Sequence, residues 1–331
     1  MCYSIVINYP EKSVESSSFK SNMCDRLDKV LSKELNKSRN QIEKLIKSNL
    51  VFVNGKIVAK PSFKVNLDDE ISYSFIEAKK ESYSDFEIDI QKLYEDEEVL
   101  VLNKPAGVVV HPAPSVKEPT LVDWLRKQNI RLSTISGEER NGIVHRLDKD
   151  TSGAIIVAKS NFAHESLSAQ LQDRSLGRYY TAIINIPLKE SIVIDKPIAR
   201  NPKNRLKMAI VEGGRASKTA FAKVEAGKRG CEVVVAKLYS GRTHQIRVHL
   251  SSINRFILGD KLYAPASHKF KTRMMLHARL LYFIHPRSKE LVEVEAPFFS
   301  DMQEYMDINF SKDLVDEKLS KKSIKNYFNS N

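Results

Sequence analysis

Residues 145–153 read His-Arg-Leu-Asp-Lys-Asp-Thr-Ser-Gly and lead directly into the apolar run Ala-Ile-Ile-Val-Ala at 154–158. Asp148 lies between the cations Arg146 and Lys149, and Thr-Ser-Gly is typical of a turn before a strand. A carboxylate beside a guanidinium stays ionised and is held in place, which suits a nucleophile or a general base. An Arg-x-Asp sequence taken alone is more often a structural ion pair. The interpretation therefore depends on the motifs that follow.

The chain is long enough for two domains, with 331 residues of which 42% are apolar. It contains no apolar run approaching the ~18 residues of a membrane helix. The first 19 residues lack the charged-then-apolar order of a signal peptide. Cys2, Cys24 and Cys231 are widely spaced and odd in number, which predicts neither a disulfide framework nor a zinc site. We therefore expect a cytoplasmic protein that does not enter a membrane.

The positive charge is concentrated in one segment. The net charge is +12, yet residues 199–279 contain 18 Lys and Arg against 4 Asp and Glu, so the rest of the chain is slightly acidic. Such a field is typical of a protein that binds a polyanion, either nucleic acid or an anionic membrane. A solvated Lys-rich surface is the alternative. Because several arginines occur inside motifs, the pattern favours RNA.

The N-terminal third has the pattern of a small α+β module. We expect an extension over 1–23, a module over 24–76 and an acidic linker over 77–92. In the module, one helix carries Leu27, Val30, Leu31 and Leu35, and a second, capped by Ser38, carries Ile42, Leu45 and Ile46. Asn54-Gly55 is a hairpin signal between two short strands. The sequence predicts two helices followed by a small hairpin.

This module resembles the αL RNA-binding domain of the S4 type. The matching landmarks are Asp25-Arg26-Leu27-Asp28 and Val53-Asn54-Gly55-Lys56. The resemblance implies that the second helix and the hairpin present cations to folded RNA, and the cations at those positions are Arg39, Lys44, Lys47 and Lys56.

Residues 93–300 read as a second domain with many strands and few helices. Helices are predicted over 120–128, 161–171 and 243–251, and strands over 99–102, 178–185, 219–224, 231–238 and 291–294. Residues 301–331 are expected to be a Lys-rich C-terminal tail, which is frayed or weakly helical over 310–331.

Four motifs of this second domain occur in a distinctive order. They are Asn-Lys-Pro-Ala-Gly at 103–107, the run at 145–153, Arg-Tyr-Tyr-Thr-Ala at 178–182 and Gly-Arg-Thr-His-Gln-Ile-Arg-Val-His at 241–249. Gly-Asp-Lys-Leu-Tyr at 259–263 and Met-Leu-His-Ala at 275–278 follow. This order resembles the RluA-type pseudouridine synthases over residues 93–300. Together with the αL module, His111-Pro112 and residues 195–198, it looks most like the RluD branch, which modifies large-subunit ribosomal RNA.

The resemblance implies an α+β fold: a small αL RNA-binding domain, then a mixed, mainly antiparallel β-sheet catalytic domain of the pseudouridine synthase type. The implied reaction isomerises specific uridines of 23S ribosomal RNA. Isomerisation breaks the ribose–nitrogen bond, rotates the uracil and forms a bond to carbon 5. This chemistry is redox-neutral and needs neither a metal nor a nucleotide cofactor. Asp148 is implied as the catalytic carboxylate, which either adds to the base, adds to the sugar or abstracts a sugar proton.

The resemblance also implies roles for other residues. Tyr180 would stack on the flipped uracil, Arg242 would pair with the catalytic carboxylate, and Leu276 would line the base pocket. Arg146 would enter the RNA helix where the base has left. Tyr180 and Leu276 could instead be ordinary core residues, and Arg242 a phosphate contact. Two further cations are expected to face RNA, Lys104 (with a structural role as the alternative) and Arg247.

Two alternatives remain open for the whole chain. The first keeps the chemistry and changes the substrate to a transfer RNA stem-loop. The second is an RNA-binding ribosome-assembly factor whose catalysis is dispensable. In either case we expect a monomer with RNA as its partner.

Overall fold

The computed structural model describes residues 14–35, 39–76, 87–113, 116–137, 140–265 and 271–328. The chain divides into two units, Met1–Ser82 and Tyr83–Asn331. Within the described residues no helix is both long enough and apolar enough to cross a membrane.

The N-terminal unit has one antiparallel sheet, a two-stranded ribbon and two helices. In spatial order the sheet consists of β1 (Val14–Lys20), β6 (Glu70–Ile76), β3 (Val51–Val53) and β4 (Lys56–Ile57). The ribbon pairs β2 (Asp25–Arg26) with β5 (Lys64–Val65), and the helices are α1 (Leu27–Glu34) and α2 (Arg39–Lys47). The apolar residues predicted to repeat at helical spacing form its core, among them Leu27, Val30, Leu31, Ile42 and Ile46. The predicted α+β module is therefore confirmed.

The hairpin of this unit forms where it was predicted. Val53 pairs with Lys56, and both intervening residues have positive φ, 49° at Asn54 and 76° at Gly55. Two left-handed residues give the type I′ geometry that matches the twist of the flanking strands. The predicted helix cap at Ser38 lies outside the described residues.

The expected N-terminal extension over 1–23 is corrected in its second half. Residues 14–20 form β1, which pairs with β6 along its whole length. Ser21 continues the contact by donating its backbone N–H to the carbonyl of Asp69 at 2.9 Å. The serine cluster at 16–18 carries no apolar alternation, so this strand gives almost no sequence signal.

The second unit is organised around a nine-stranded mixed sheet. Its strands are β7 (Gln91–Glu95), β8 (Val99–Lys104), β9 (Ser152–Ala158), β10 (Gly177–Ile184), β11 (Ile192–Asp195), β14 (Lys218–Ala226), β15 (Glu232–Leu238), β16 (Leu276–Ile284) and β17 (Leu291–Glu295). The spatial order is β11-β14-β15-β10-β16-β9-β8-β7, and β17 also pairs with β16. Among the ladders of these described strands only β9–β16 is parallel. This is the mainly antiparallel sheet that the family resemblance implied.

Helices and one small hairpin complete the unit. The helices are α3 (Leu121–Lys127), α4 (Asn161–Asp173), α5 (Gln245–Ser251), α6 (Ser300–Asn309) and α7 (Lys321–Asn326), and the hairpin pairs β12 (Ile198–Arg200) with β13 (Met208–Ile210). The first three helices lie where they were predicted. Thr120 and Asp123 cap α3 reciprocally, since each side chain bonds the other residue's backbone N–H.

The sheet is buried on both faces in its centre. Along β9, Ile155 and Val157 pack into one apolar cluster, while Ala154 and Ile156 pack into another on the opposite face. Successive side chains of a strand point to opposite faces, so a strand covered on both sides reads as a continuous apolar run. This burial on both faces explains why residues 154–158, which follow the run at 145–153, are all apolar.

The expected tail over 301–331 is corrected. It contains α6, a π-helical turn over Leu314–Lys318 and α7. Six of its apolar side chains are buried in the same cluster as the sheet, namely Met302, Met306, Phe310, Leu314, Leu319 and Ile324. Two of its lysines, Lys321 and Lys325, form ion pairs with Glu293 of β17. Residues 301–328 are therefore part of the catalytic domain.

The acidic linker is shorter than predicted at its C-terminal end. Gln91 and Lys92 already pair with β8 as the first residues of β7. Residues 77–86 of the predicted linker lie outside the described residues.

Candidate active site

The loop that carries Asp148 is fixed by the strand that follows it. Thr151 donates its backbone N–H to the carbonyl of Asp148 at 3.1 Å, and Gly107 donates to the carbonyl of Lys149 at 2.9 Å. Gly153 has φ 111°, and a Cβ at this position would collide with the backbone of Ala278. Only glycine therefore allows β9 to lie this close to β16, which places the loop beside the start of β16.

The Asp148 carboxylate is held through one of its oxygens. Oδ2 accepts a hydrogen bond from Nη1 of Arg247 at 3.1 Å, and Nε2 of His244 lies 4.0 Å from the same oxygen. Oδ1 accepts no hydrogen bond from the described residues. The carboxylate is thus oriented by a cation on one oxygen while the other oxygen is available to a substrate.

Arg247 is itself held by a second carboxylate. Its Nε and Nη2 donate to the two oxygens of Asp260 at 2.8 and 2.9 Å. Burial works to lower the pKa of Arg247, but the hydrogen bonds and charges of Asp260 and Asp148 outweigh it and raise the pKa. Its guanidinium also lies over the ring of Tyr263, 4.9 Å from the centroid. Arg247 is therefore a permanently charged bridge between two carboxylates.

Tyr180 reaches the same site from the middle of the sheet. It lies on β10, almost fully buried, and burial raises the pKa of its hydroxyl. The charge of Arg178 opposes that shift, while the charge of Asp148 adds to it. The hydroxyl therefore stays protonated at neutral pH and lies within the electrostatic field of both groups.

A single cleft of about 520 Å³ collects the residues that the sequence predicted for catalysis. Its lining includes Asp148, Tyr180, Arg242, Arg146, Leu276 and Arg247. Arg146 is exposed at this cleft, and Leu276 is buried against it. Six arginines in all contribute to the lining, at positions 140, 146, 178, 215, 242 and 247. A basic cleft of this size can admit a nucleotide that has left a helical stack.

Comparison with known proteins agrees with both units. Residues 98–252 match the family model described as RNA pseudouridylate synthase, and residues 25–71 match the S4 domain. An uncharacterized RNA pseudouridine synthase of Helicobacter pylori is 45% identical over 312 residues, covering 92% of this chain and 95% of that protein. The chain belongs to the RluA-type RNA pseudouridine synthases.

Two further comparisons extend the likeness. The protein of Zymomonas mobilis named ribosomal large subunit pseudouridine synthase D is 39% identical over 290 residues, covering 84% of this chain and 92% of that protein. The structure of human RNA pseudouridylate synthase domain containing 1 is 28% identical with a TM-score of 0.54, covering 63% of this chain and 84% of that one. The enzyme class expected from the sequence, an RNA pseudouridine synthase, is confirmed.

The arginine paired with Asp148 in this pseudouridine synthase is Arg247, so the predicted pairing of Arg242 is wrong. Arg242 lies in the turn before α5, where its Nε donates to the carbonyl of Ala216 at 3.3 Å. Its backbone N–H donates to Oε1 of Gln245 at 3.0 Å. Arg247 lies inside α5, which directs its side chain at the Asp148 loop. Arg247 was also predicted to face RNA, but its guanidinium donates to Asp260 and Asp148, so its side chain holds the Asp148 carboxylate instead.

Lys104 is likewise not a surface cation of the synthase, although it was predicted to bind RNA. It is 0% exposed, and its Nζ donates to the carbonyls of Pro105, Val108 and Lys149 at 2.8, 2.9 and 3.1 Å. Burial lowers its pKa to about 7. Because Lys149 directly follows Asp148, Lys104 ties the Asp148 loop to the end of β8. This is the structural role that the sequence had left as the alternative.

The cations predicted for the S4 domain lie on α2 and β4 of the N-terminal unit. Arg39, Lys47 and Lys56 are exposed, and Lys47 forms an ion pair with Glu43 at 3.2 Å. The side chain of Lys44 lies outside the described residues. An RNA-binding role for these four residues stays a prediction.

Two residues of the site were not assigned roles from the sequence. Asp260 occurs in the quoted motif at 259–263, and it orients Arg247 from there. His244 occurs in the quoted motif at 241–249. It has φ 58°, and its Nδ1 is 2.9 Å from the hydroxyl of Tyr263. Both residues lie in the quoted motifs, but only the folded structure shows how they are connected to Asp148.

Proposed function

We propose that this enzyme converts uridine to pseudouridine in large-subunit ribosomal RNA, with Asp148 as its catalytic carboxylate. One observation carries the assignment of Asp148. Its carboxylate is oriented by the charged Arg247 through Oδ2, in a cleft that also contains Tyr180, while Oδ1 is left for the substrate. The choice of RNA is supported by the Zymomonas mobilis relative, whose name states that substrate.

Several residues around Asp148 each make a different contact with a flipped uridine and its RNA. Tyr180 stacks on the uracil, a contact that contributes roughly 1–3 kcal/mol per base, and Leu276 forms an apolar wall of the pocket. Arg146, exposed on the same loop as Asp148, occupies the gap that the flipped base leaves. The half-buried Arg242 and the exposed arginines of the cleft contact phosphates of the surrounding RNA.

The N-terminal unit recognises folded RNA through Arg39, Lys44, Lys47 and Lys56. Cations of this kind neutralise phosphates and release counterions, so they add affinity that falls with salt. We infer that the protein acts as a monomer in the cytoplasm, where ribosomal RNA and its precursor particles are found.

The chemistry is tested by release of tritium from RNA labelled at carbon 5 of uridine. The wild type should release tritium, and Asp148→Asn should abolish release while still binding RNA. Asp150→Asn is the matched control, since Asp150 is an exposed carboxylate of the same loop. Equal turnover by Asp148→Asn and the wild type would remove Asp148 from the mechanism.

The substrate is tested by mapping pseudouridines in total RNA from a strain that lacks the gene. Sites should disappear from large-subunit ribosomal RNA and return when the wild-type gene is supplied, but not with Asp148→Asn. Loss of sites in transfer RNA alone would overturn the ribosomal substrate. If Asp148→Asn restored normal ribosome assembly without restoring the sites, the modification would be dispensable for assembly.

A further inference from the structure

A buried guanidinium without a partner lies in the wall of the catalytic cleft. Arg178 is 8% exposed, and its Nε is buried with no hydrogen-bond partner. Among the described residues none accepts a hydrogen bond from its side chain, and no carboxylate lies within ion-pair distance of it. Leaving a buried charge unpaired costs several kcal/mol. Such a group is retained in a fold when an anionic partner arrives from outside.

The direction of the side chain follows from its strand. Arg178 and Tyr180 are two residues apart on β10, so they share one face of the sheet, and both line the cleft. Tyr179 between them points to the other face, where its ring packs against those of Tyr282 and Phe328 at 5.9 and 5.5 Å. The guanidinium is thereby directed into the space that receives the substrate.

The opposite wall leaves room for this guanidinium. Gly241 begins the motif at 241–249, and a Cβ there would lie 2.8 Å from Nη1 of Arg178. A larger residue would push the side chain out of its place. The motif that supplies Arg247 to Asp148 therefore also leaves space for Arg178.

The charge of Arg178 acts on groups at the reacting centre of the cleft and not at its exposed rim. The hydroxyl of Tyr180 experiences the charges of both Arg178 and Asp148. The neighbouring His145 adds no second positive charge, because burial and then the charge of Arg178 lower its pKa to about 3 and keep it neutral. Arg140 and Arg146 are exposed on the same cleft and are better placed for phosphates.

We propose that Arg178 is a catalytic residue that binds the oxygen atoms of the target uracil and stabilises the negative charge that forms on the ring. The proposal rests on the proposed pseudouridine synthase activity of this cleft. When the bond from C1′ of the ribose to N1 breaks, its electron pair stays with the uracil and is shared with O2 and O4. The ring then bonds to C1′ through C5, C5 loses its proton, and N1 gains one, so the reaction is balanced without another reagent.

The role of Arg178 is the same for each of the three actions open to Asp148. Attack on the sugar and abstraction of a sugar proton both expel uracil as an anion. Addition to the base places the charge on O4 as an enolate. A preorganised guanidinium in a buried site is the kind of group that stabilises such developing charge.

The test compares Arg178→Met with the wild type on RNA carrying either uridine or 5-fluorouridine at the target position. Single turnovers are followed by chromatography of the digested nucleosides, as formation of pseudouridine from uridine and as loss of 5-fluorouridine, whose C5 carries fluorine and has no proton to lose. Arg178→Met should lower the rate on uridine by roughly 100- to 1,000-fold, the effect of removing one charge-stabilising donor, with an unchanged Kd for RNA. Fluorine stabilises the uracil anion, so the loss caused by Arg178→Met should be at least tenfold smaller on 5-fluorouridine. Arg178→Lys, which keeps a charge, should fall between the two.

Two controls distinguish the proposed role of Arg178 from the alternatives. Arg140→Met removes an exposed guanidinium from the same cleft, and it should weaken RNA binding equally for both nucleosides. If Arg178→Met did the same, and if a neutral methylphosphonate beside the target abolished its effect, Arg178 would bind phosphate and the proposal would be wrong.

Thermal unfolding checks the fold: Arg178→Met should be at least as stable as the wild type, because it removes a buried unpaired charge. A lower stability with an unchanged rate would make Arg178 structural. A wild type inactive on uridine would instead refute the proposed function.

Discussion

Asp260 holds the guanidinium of Arg247 with two hydrogen bonds, of 2.8 and 2.9 Å, and leaves Nη1 to donate to Asp148. Asp260 is itself almost fully buried, and one of its oxygens also accepts the backbone N–H groups of Leu262 and Tyr263. Burial works to raise the pKa of Asp260, but Arg247 and these N–H groups lower it below its usual value. The Asp148 carboxylate is therefore positioned by a residue that does not touch it.

Replacing Asp260 by Ala should impair both stability and turnover. The variant leaves two buried donors of Arg247 without an acceptor, so we expect unfolding in urea to show a loss of about 3–5 kcal/mol. Arg247 then no longer fixes Asp148, and the single-turnover rate should fall roughly 10- to 100-fold because the carboxylate is misplaced. The Kd for RNA should stay unchanged.

The double variant Arg247→Met/Asp260→Leu separates these two effects. It removes both buried charges, so part of the lost stability should return while turnover stays low. Full turnover in either variant would contradict a positioning role for Asp260.

Arg247 and Arg242 should behave as opposites when each is replaced by Met. Arg247→Met should reduce the rate roughly 100-fold with little change in RNA affinity, since the residue is buried and bonded to two carboxylates. Arg242→Met should weaken RNA binding and lower the slope of log K against log salt by about one unit, as expected for one lost phosphate contact. Binding isotherms over a range of salt and single-turnover rates measure both quantities. The reverse pattern would restore the pairing of Arg242 that the sequence suggested.

The motifs in the sequence located Asp148, Tyr180 and Arg242 but did not show which side chains pair. Asp148 and Tyr180 lie where they were predicted, in one cleft. Arg242 and Arg247 belong to the same nine-residue motif, and only the start of α5 decides which of them points at Asp148. The partner of Arg247, Asp260, comes from a separate turn. Pairings of this kind depend on where chain segments meet, which spacing along the sequence does not encode.

The composition led to two wrong predictions, one for Lys104 and one for the C-terminal segment, because charged and apolar residues were considered separately. Lys104 was taken as an RNA contact, yet three backbone carbonyls satisfy its ammonium inside the protein. In the C-terminal segment Met302 and Met306 recur at helical spacing inside α6, and Phe310 and Leu314 continue the buried apolar series beyond the helix, although the segment as a whole is Lys-rich. Strand β1, before residue 24, was not predicted, because its serines do not alternate with apolar residues.

The stability of the protein should fall in acid because of its buried neutral histidines. Burial lowers the pKa of His277 to about 3, whereas an unfolded histidine has a pKa of about 6.5. Between these values the unfolded chain binds a proton that the folded protein does not, so the free energy of unfolding decreases as pH falls. The stability is fully present above about pH 6.5, and His277 accounts for a loss of about 1.4 kcal/mol per pH unit below it.

His277→Gln tests this contribution. Nδ1 of His277 is 2.9 Å from Oγ of Ser152, and Nε2 is 3.2 Å from the carbonyl of Ala296, so a neutral ring can accept from one and donate to the other. Glutamine offers both functions without titrating. Urea unfolding at several pH values should give a shallower acid slope for His277→Gln than for the wild type. Identical slopes would mean that His277 is protonated inside the fold.

The C-terminal segment should contribute to the stability of the catalytic domain, and one helix contains both the test and its control. Met306 of α6 is 1% exposed in the main core, whereas Ile308, two residues later, is 63% exposed. Met306→Ala should lower the free energy of unfolding by about 2–5 kcal/mol, because it leaves a cavity beneath the sheet. Ile308→Ala should change it by less than about 0.5 kcal/mol. Equal, small effects of both substitutions in urea unfolding would show that the segment is the frayed tail that its lysine content suggested.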